Sequence, residues 1–161
     1  MSLKINYLDK SKFSTKNRAV FVHPDAKITK FKEKFDEKIN QKIVNFLKKN
    51  KNTKDNKIIS LNQDFDQKLI IILLTKENDE LASEKLGAKF FDFLKNNEVD
   101  EIFIQGPDFF NSKKYNISFN SFIHGAELKS YKFNLYKTNK KNKIINFNIL
   151  RADIPQKKKN L

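Results

Sequence analysis

Cysteine is absent from the 161 residues, which excludes disulfides, thiolate-ligated zinc and thiol nucleophiles. Glycine occurs at only three places, Gly87, Gly106 and Gly125, each alone. No glycine-rich loop can therefore cradle a phosphate, and the dinucleotide and nucleoside triphosphate signatures are missing. The two histidines, His23 and His124, are far apart, so closely spaced His ligation of a metal is excluded and a His-based triad would need long-range assembly. Arg18 and Arg151 are the only arginines, although specific base readout leans on the guanidinium fork. No apolar run is long enough for a signal peptide or a membrane span, so the expectation is a soluble, cytoplasmic chain with no membrane partner.

What the chain does have is phenylalanine and lysine. Sixteen Phe and 39% hydrophobic residues suffice for one domain with a real core, each buried ring contributing about 1.5–3 kcal/mol. The net charge is +14 but uneven: residues 1–54 carry +10, residues 55–110 carry −6 and residues 111–161 carry +10. Basic ends could attract nucleic acid or an acidic partner. A composition rich in Lys, Asn, Ile and Phe is also that of an AT-rich genome, whose lysines drift onto solvated faces.

Along the chain, Leu3–Leu8 and Arg18–Val22 read as strands, the second halted at Pro24. His23 then reads as a strand-end residue. Phe35, Ile39, Ile43, Phe46 and Leu47 recur at helical spacing and predict an amphipathic helix over about 29–49. Lys57–Leu61 predicts a short strand, Asn62–Gln67 a turn, and the unbroken apolar run Lys68–Leu74 a central strand buried on both faces. The short turn between them makes that pair antiparallel. A helix capped by Asn78 or Asp79 follows to about Lys95, with Asn96–Asn97 as a left-handed stop. Gly87 on its apolar face would admit a close neighbour. A strand at Glu101–Gln105, a helix at about 121–137 and a strand at Ile144–Leu150 complete the order β β α β β α β α β, and 151–161 is a polar tail. Alternating strands and helices give an α/β class, a mixed sheet between helices in three α/β/α layers.

No carboxylate arrangement demands a catalytic reading. Asp64 and Asp66 suit a turn, Asp79 and Glu80 a helix start, and Glu84 and Asp92 a solvated helix side. The helix at 121–137 is more unusual because it has two apolar stripes. Phe119, Phe122, Ile123, Ala126, Ser130 and Phe133 share one arc of about 100°, and His124, Leu128, Tyr131 and Leu135 the opposite one. The first should face the sheet. The second, with His124 half-buried, should pack on the 79–95 helix, or else Leu128, Tyr131 and Leu135 form a docking surface for a partner.

From Lys32 onward the motifs resemble the N-terminal domain of the leucine (cytosol) aminopeptidase family. The resemblance lies in Phe35-Asp36-Glu37-Lys38-Ile39-Asn40 through Leu47, in the turn and strand Asn52–Leu61, in Leu86-Gly87-Ala88 with the strand Glu101–Gln105, and above all in Gly125-Ala126-Glu127-Leu128-Lys129-Ser130-Tyr131-Lys132-Phe133-Asn134-Leu135-Tyr136-Lys137. Leu73-Leu74-Thr75-Lys76 stands where the family has Gly-Leu-Gly, and the turn before Lys57 lacks the family's glycine. The resemblance implies a macrodomain-like N-terminal domain over 1–150, with 151–161 a tail or the start of a linker. It further implies that the parent is a hexameric metallopeptidase removing N-terminal amino acids, whose catalytic domain binds two divalent metals, zinc or manganese. The family's Asn-Thr-Asp-x-Glu-Gly-Arg motif is missing here, so no catalytic or metal residue carries over and this chain needs no cofactor. Its expected partners are the catalytic domain and neighbouring subunits. The alternative is a basic module that binds DNA weakly and without sequence preference. A macrodomain-type ADP-ribose binder is less favoured, for want of phosphate-cradling glycines.

Overall fold

The computed structural model describes residues 2–8, 16–23, 37–50, 52–64, 67–104, 117–136 and 144–150; of these, the side chains of 39, 40, 63, 64, 132–136 and 150 are not described. The elements are β1 (Ser2–Leu8), β2 (Asn17–Val22), α1 (Glu37–Lys49), β3 (Lys57–Asp64), β4 (Gln67–Leu73), α2 (Glu80–Asn96), β5 (Glu101–Ile104), α3 (Phe119–Tyr136) and β6 (Ile144–Leu150). Their order is the expected one. The sheet runs β1-β6-β5-β2-β4-β3, parallel throughout except for the antiparallel β3–β4 pair. The expected Asn62–Gln67 turn is tighter, because β3 continues to Asp64 with a register shift and Gln67 already belongs to β4. The part of the expected first helix before Glu37 lies outside the described residues.

Period-two alternation sends the apolar residues of β4, and Leu74 just after it, to two different cores. Ile70, Ile72 and Leu74 join Ala19, Phe21, Ile102, Ile104, Ile145 and Phe147 under α2 and α3. Leu69, Ile71 and Leu73 join Val20 and Val22 under Ile43 and Leu47 of α1. Residues 69–74 are all buried, as a central strand covered on both faces must be. The layers are thus α1, the sheet, and the α2–α3 pair.

The first core is aromatic. The ring of Phe122 lies 5.2 Å from that of Phe21 and 5.3 Å from that of Phe90, which is 5.5 Å from Phe147. Four elements, β2, α2, α3 and β6, are joined through these rings.

The two helices over that core run in the same direction and touch backbone to backbone. A Cβ on Gly87 would sit 1.8 Å from the Phe122 carbonyl oxygen, and one on Gly125 would sit 1.9 Å from the Glu84 carbonyl oxygen. The close approach expected at Gly87 is therefore reciprocal. A hydrogen bond from the Ser118 N–H to Ser83 Oγ (2.9 Å) ties the starts of the helices. The Asp92–Lys129 pair (3.4 Å) ties them further along. Asp92 is thus an interhelical partner and not merely a solvated charge.

Asp79 caps α2 by accepting from the Ala82 N–H at 2.7 Å. Asn78 is instead buried and accepts from Asn56 Nδ2 at 2.8 Å. At the other end, Asn97 returns its side-chain amide to the Phe93 carbonyl at 2.7 Å. The left-handed residue is Glu98 (φ 55°), not Asn96 or Asn97, so the stop lies one residue later than the Asn pair implied.

Candidate docking surface and charged faces

Three places carry the side chains of functional interest: the carboxyl ends of the strands, the face of α1, and the outer arc of α3.

In a parallel sheet, ligands collect where successive connections leave in opposite directions. Here that point lies between β2, whose chain continues through α1 to β3 on one side, and β5, whose chain continues through α3 to β6 on the other. His23 stands half-buried just after β2, as a strand-end residue should. The segment after β5, with Gly106, lies outside the described residues. Among the described residues, no group of three His, Cys, Asp or Glu side chains could hold a metal ion. His124 is far from the half-buried role expected of it: it is exposed on α3.

The face of the sheet that α1 partly covers shows a row across β1, β6, β5 and β2 that periodicity did not single out. Asn6 Nδ2 donates to Asn148 Oδ1 at 3.0 Å, and Asn148 is buried. The cross-strand register runs on from Asn148 through Phe103 to Arg18, which is only 6% exposed. Burial lowers the Arg18 pKa by penalising its charge. The alternation Ile145, Asn146, Phe147, Asn148, Ile149 was the available signal for the Asn pair; nothing in sequence marked Arg18 as buried.

The uneven charge of the chain becomes a difference between layers. α1 and the turn after it expose Lys38, Lys42, Lys48, Lys49, Lys54 and Lys57. Glu37 and Asp55 are the only carboxylates among the described residues from 37 to 57. Two of these lysines are engaged locally: Lys42 Nζ donates to the Asn62 carbonyl at 3.4 Å and Lys57 Nζ to Asn50 Oδ1 at 2.8 Å. Beyond the sheet, α2 and its flanks carry Glu77, Asp79, Glu80, Glu84, Asp92, Glu98 and Asp100. The basic runs within 24–36, 137–143 and 151–161 lie outside the described residues.

On α3 the inner stripe is where the spacing put it: Phe122, Ile123, Ala126 and Ser130 are buried. The outer stripe does not pack on α2, which corrects the packing expectation. Leu128 is 37% and Tyr131 68% exposed; the Leu135 side chain is outside the described set, as is that of Phe133. The reason is geometric. α2 meets α3 through Gly87 and Gly125, and its Leu86, Phe90, Phe91 and Leu94 are buried in the first core. Leu128 and Tyr131 are thus an apolar patch on a solvent-facing helix.

No helix among the described residues is long and apolar enough to cross a membrane. No family model matches this sequence, and no curated protein does. Among solved structures the fold is similar to a mutant of tomato leucine aminopeptidase, with a TM-score of 0.58 and 13% identity over 98% of this chain and 34% of that one. This chain therefore spans about a third of that enzyme's length. The fold is also similar to the macrodomain of Thermus aquaticus DarG, with a TM-score of 0.55 and 8% identity over 92% of this chain and 97% of that one. The fold is a macrodomain-like mixed α/β fold in three layers.

Proposed function

We propose that residues 1–150 are a non-catalytic domain of the kind found at the N-terminus of leucyl aminopeptidases, serving packing and oligomer assembly. Under this proposal the peptidase chemistry, with its two divalent metals, belongs to a separate catalytic domain of the same protein, and residues 151–161 lead towards it. The observation that carries it is the fit of 98% of this chain onto one third of an aminopeptidase. The exposed Leu128 and Tyr131, three residues apart and so neighbours on the α3 surface, fit an assembly role. A direct test is to assay the isolated chain on leucine amide with added manganese or zinc. No turnover above a mock purification is expected, and genuine turnover would sink the non-catalytic assignment. Sequencing the reading frame around the chain tests the parent: a downstream segment with the two-metal motif is expected.

A second function is favoured by one observation, the lysine-rich α1 layer. It would give weak, sequence-blind DNA binding that falls steeply with salt. Affinity for two unrelated duplexes, at low and at physiological salt, tests this. Strong discrimination between the duplexes at physiological salt would contradict it.

A further inference from the structure

The exposed residues of α3 are spaced in a way that a solvated helix does not require. His124, Leu128 and Tyr131 are exposed at steps of four and three residues, and a further step of four reaches position 135, a leucine. Four-three-four is the a/d spacing by which two helices face each other along a common seam. The outward arc of a helix that belongs to one domain should be polar instead. None of the four seam positions is a Lys, Arg, Asp or Glu.

The flanking positions add a register. Glu127 stands just before Leu128, and position 132, a lysine, just after Tyr131. With Leu128 at a and Tyr131 at d, these are g and e positions, whose charges choose partner and orientation. Two copies of α3 set side by side in parallel bring Glu127 of each towards position 132 of the other, so the complementary pair occurs twice. A two-fold contact needs this kind of self-complementarity. We propose that the outer stripe of α3 is a two-fold seam joining two copies of this chain, α3 against α3 in parallel. It names the occupant of the docking surface in the assembly part of the proposed function, and does not depend on the parent being a peptidase.

Two physical terms set how the pairing behaves. A seam of four residues per helix is shorter than a standard interface, which buries roughly 1,600 Å². Pairing is therefore weak and seen at high protein concentration. Each copy also carries +14, so the approach is opposed by long-range repulsion that salt screens. Self-association strengthens as salt is added, the reverse of nucleic-acid binding.

The absence of cysteine makes the test clean. Leu128→Cys places a single thiol on the seam, and Lys48→Cys places one on exposed α1, across the sheet. Under mild oxidation at high protein concentration, Leu128→Cys should form disulfide-linked dimers at least about tenfold faster than Lys48→Cys, since the tethered thiols act at high effective concentration. Sedimentation of the unmodified chain should show a dimer that grows with salt and is lost in Leu128→Asp. Circular dichroism and a urea midpoint close to the parent's establish that Leu128→Asp remains folded. Equal cross-linking rates with a monomer at all salt concentrations overturn the seam, and leave the aminopeptidase assignment to its own tests. Mixed His124→Cys and Leu135→Cys chains that link to each other faster than like to like overturn the parallel register. A monomer whose stripe instead captures a separate segment of the parent protein overturns the choice of a second copy.

Discussion

Gly87→Ala tests the helix pair on which the first core depends. A Cβ at Gly87 would lie 1.8 Å from the Phe122 oxygen, 2.7 Å from its carbonyl carbon and 3.1 Å from its Cα. All three are backbone atoms, so no side chain can swing aside. To restore an ordinary contact of about 3.5 Å, α3 would have to retreat by roughly 1.5 Å or α2 would have to unwind locally. Retreat would open gaps around Phe122, which touches both Phe21 and Phe90. Overpacking of this kind costs about 1–3 kcal/mol and occasionally more. Against it stands the helix propensity of alanine, worth about 1 kcal/mol over glycine in a helix interior. The clash is with rigid backbone, so the upper part of the cost range applies and the net should be a loss of about 2 kcal/mol. For a chain of this size that lowers the melting temperature by about 4–8 °C. Gly125→Ala meets Glu84 backbone in the same crossing and should behave alike. Because one retreat relieves both clashes, the double variant should lose clearly less than the sum of the single losses. Thermal and urea unfolding of the four proteins measures this. A Gly87→Ala chain that melts at or above the parent would refute the close crossing, because propensity alone would then have decided the sign.

Two other substitutions separate the arcs of α3. Phe122→Ala empties a fully buried site among Phe21, Phe90 and Phe119 and should cost about 3–5 kcal/mol, read from the urea midpoint. Leu128→Asp, measured at low protein concentration where the chain is monomeric, should change stability by no more than about 0.5 kcal/mol, as exposed substitutions do. A severe loss there would mean that the outer stripe is packed within the chain after all.

The sequence by itself determined the order of the nine elements, the two-faced burial of β4 and the antiparallel β3–β4 pair. Those features follow from local periodicity: a period of two or 3.6 residues decides which side chains share a face, whatever the neighbours are. It also ruled out thiol chemistry, since the chain has no cysteine whatever its fold, and a glycine-rich loop, since three isolated glycines cannot form one. The strand order β1-β6-β5-β2-β4-β3 was not legible, because parallel strands pair through backbone groups that any sequence supplies. Arg18 looked like the ordinary start of a strand, and only its place between Phe103 and Leu69 in the register buries it. The two stripes of α3 could be counted in the sequence, but which one would be covered could not. That was decided by Gly87 and Gly125, where two missing side chains let the helices meet on their inner sides. With α2 held there, the described fold leaves Tyr131 largely exposed and covers Leu128 only in part.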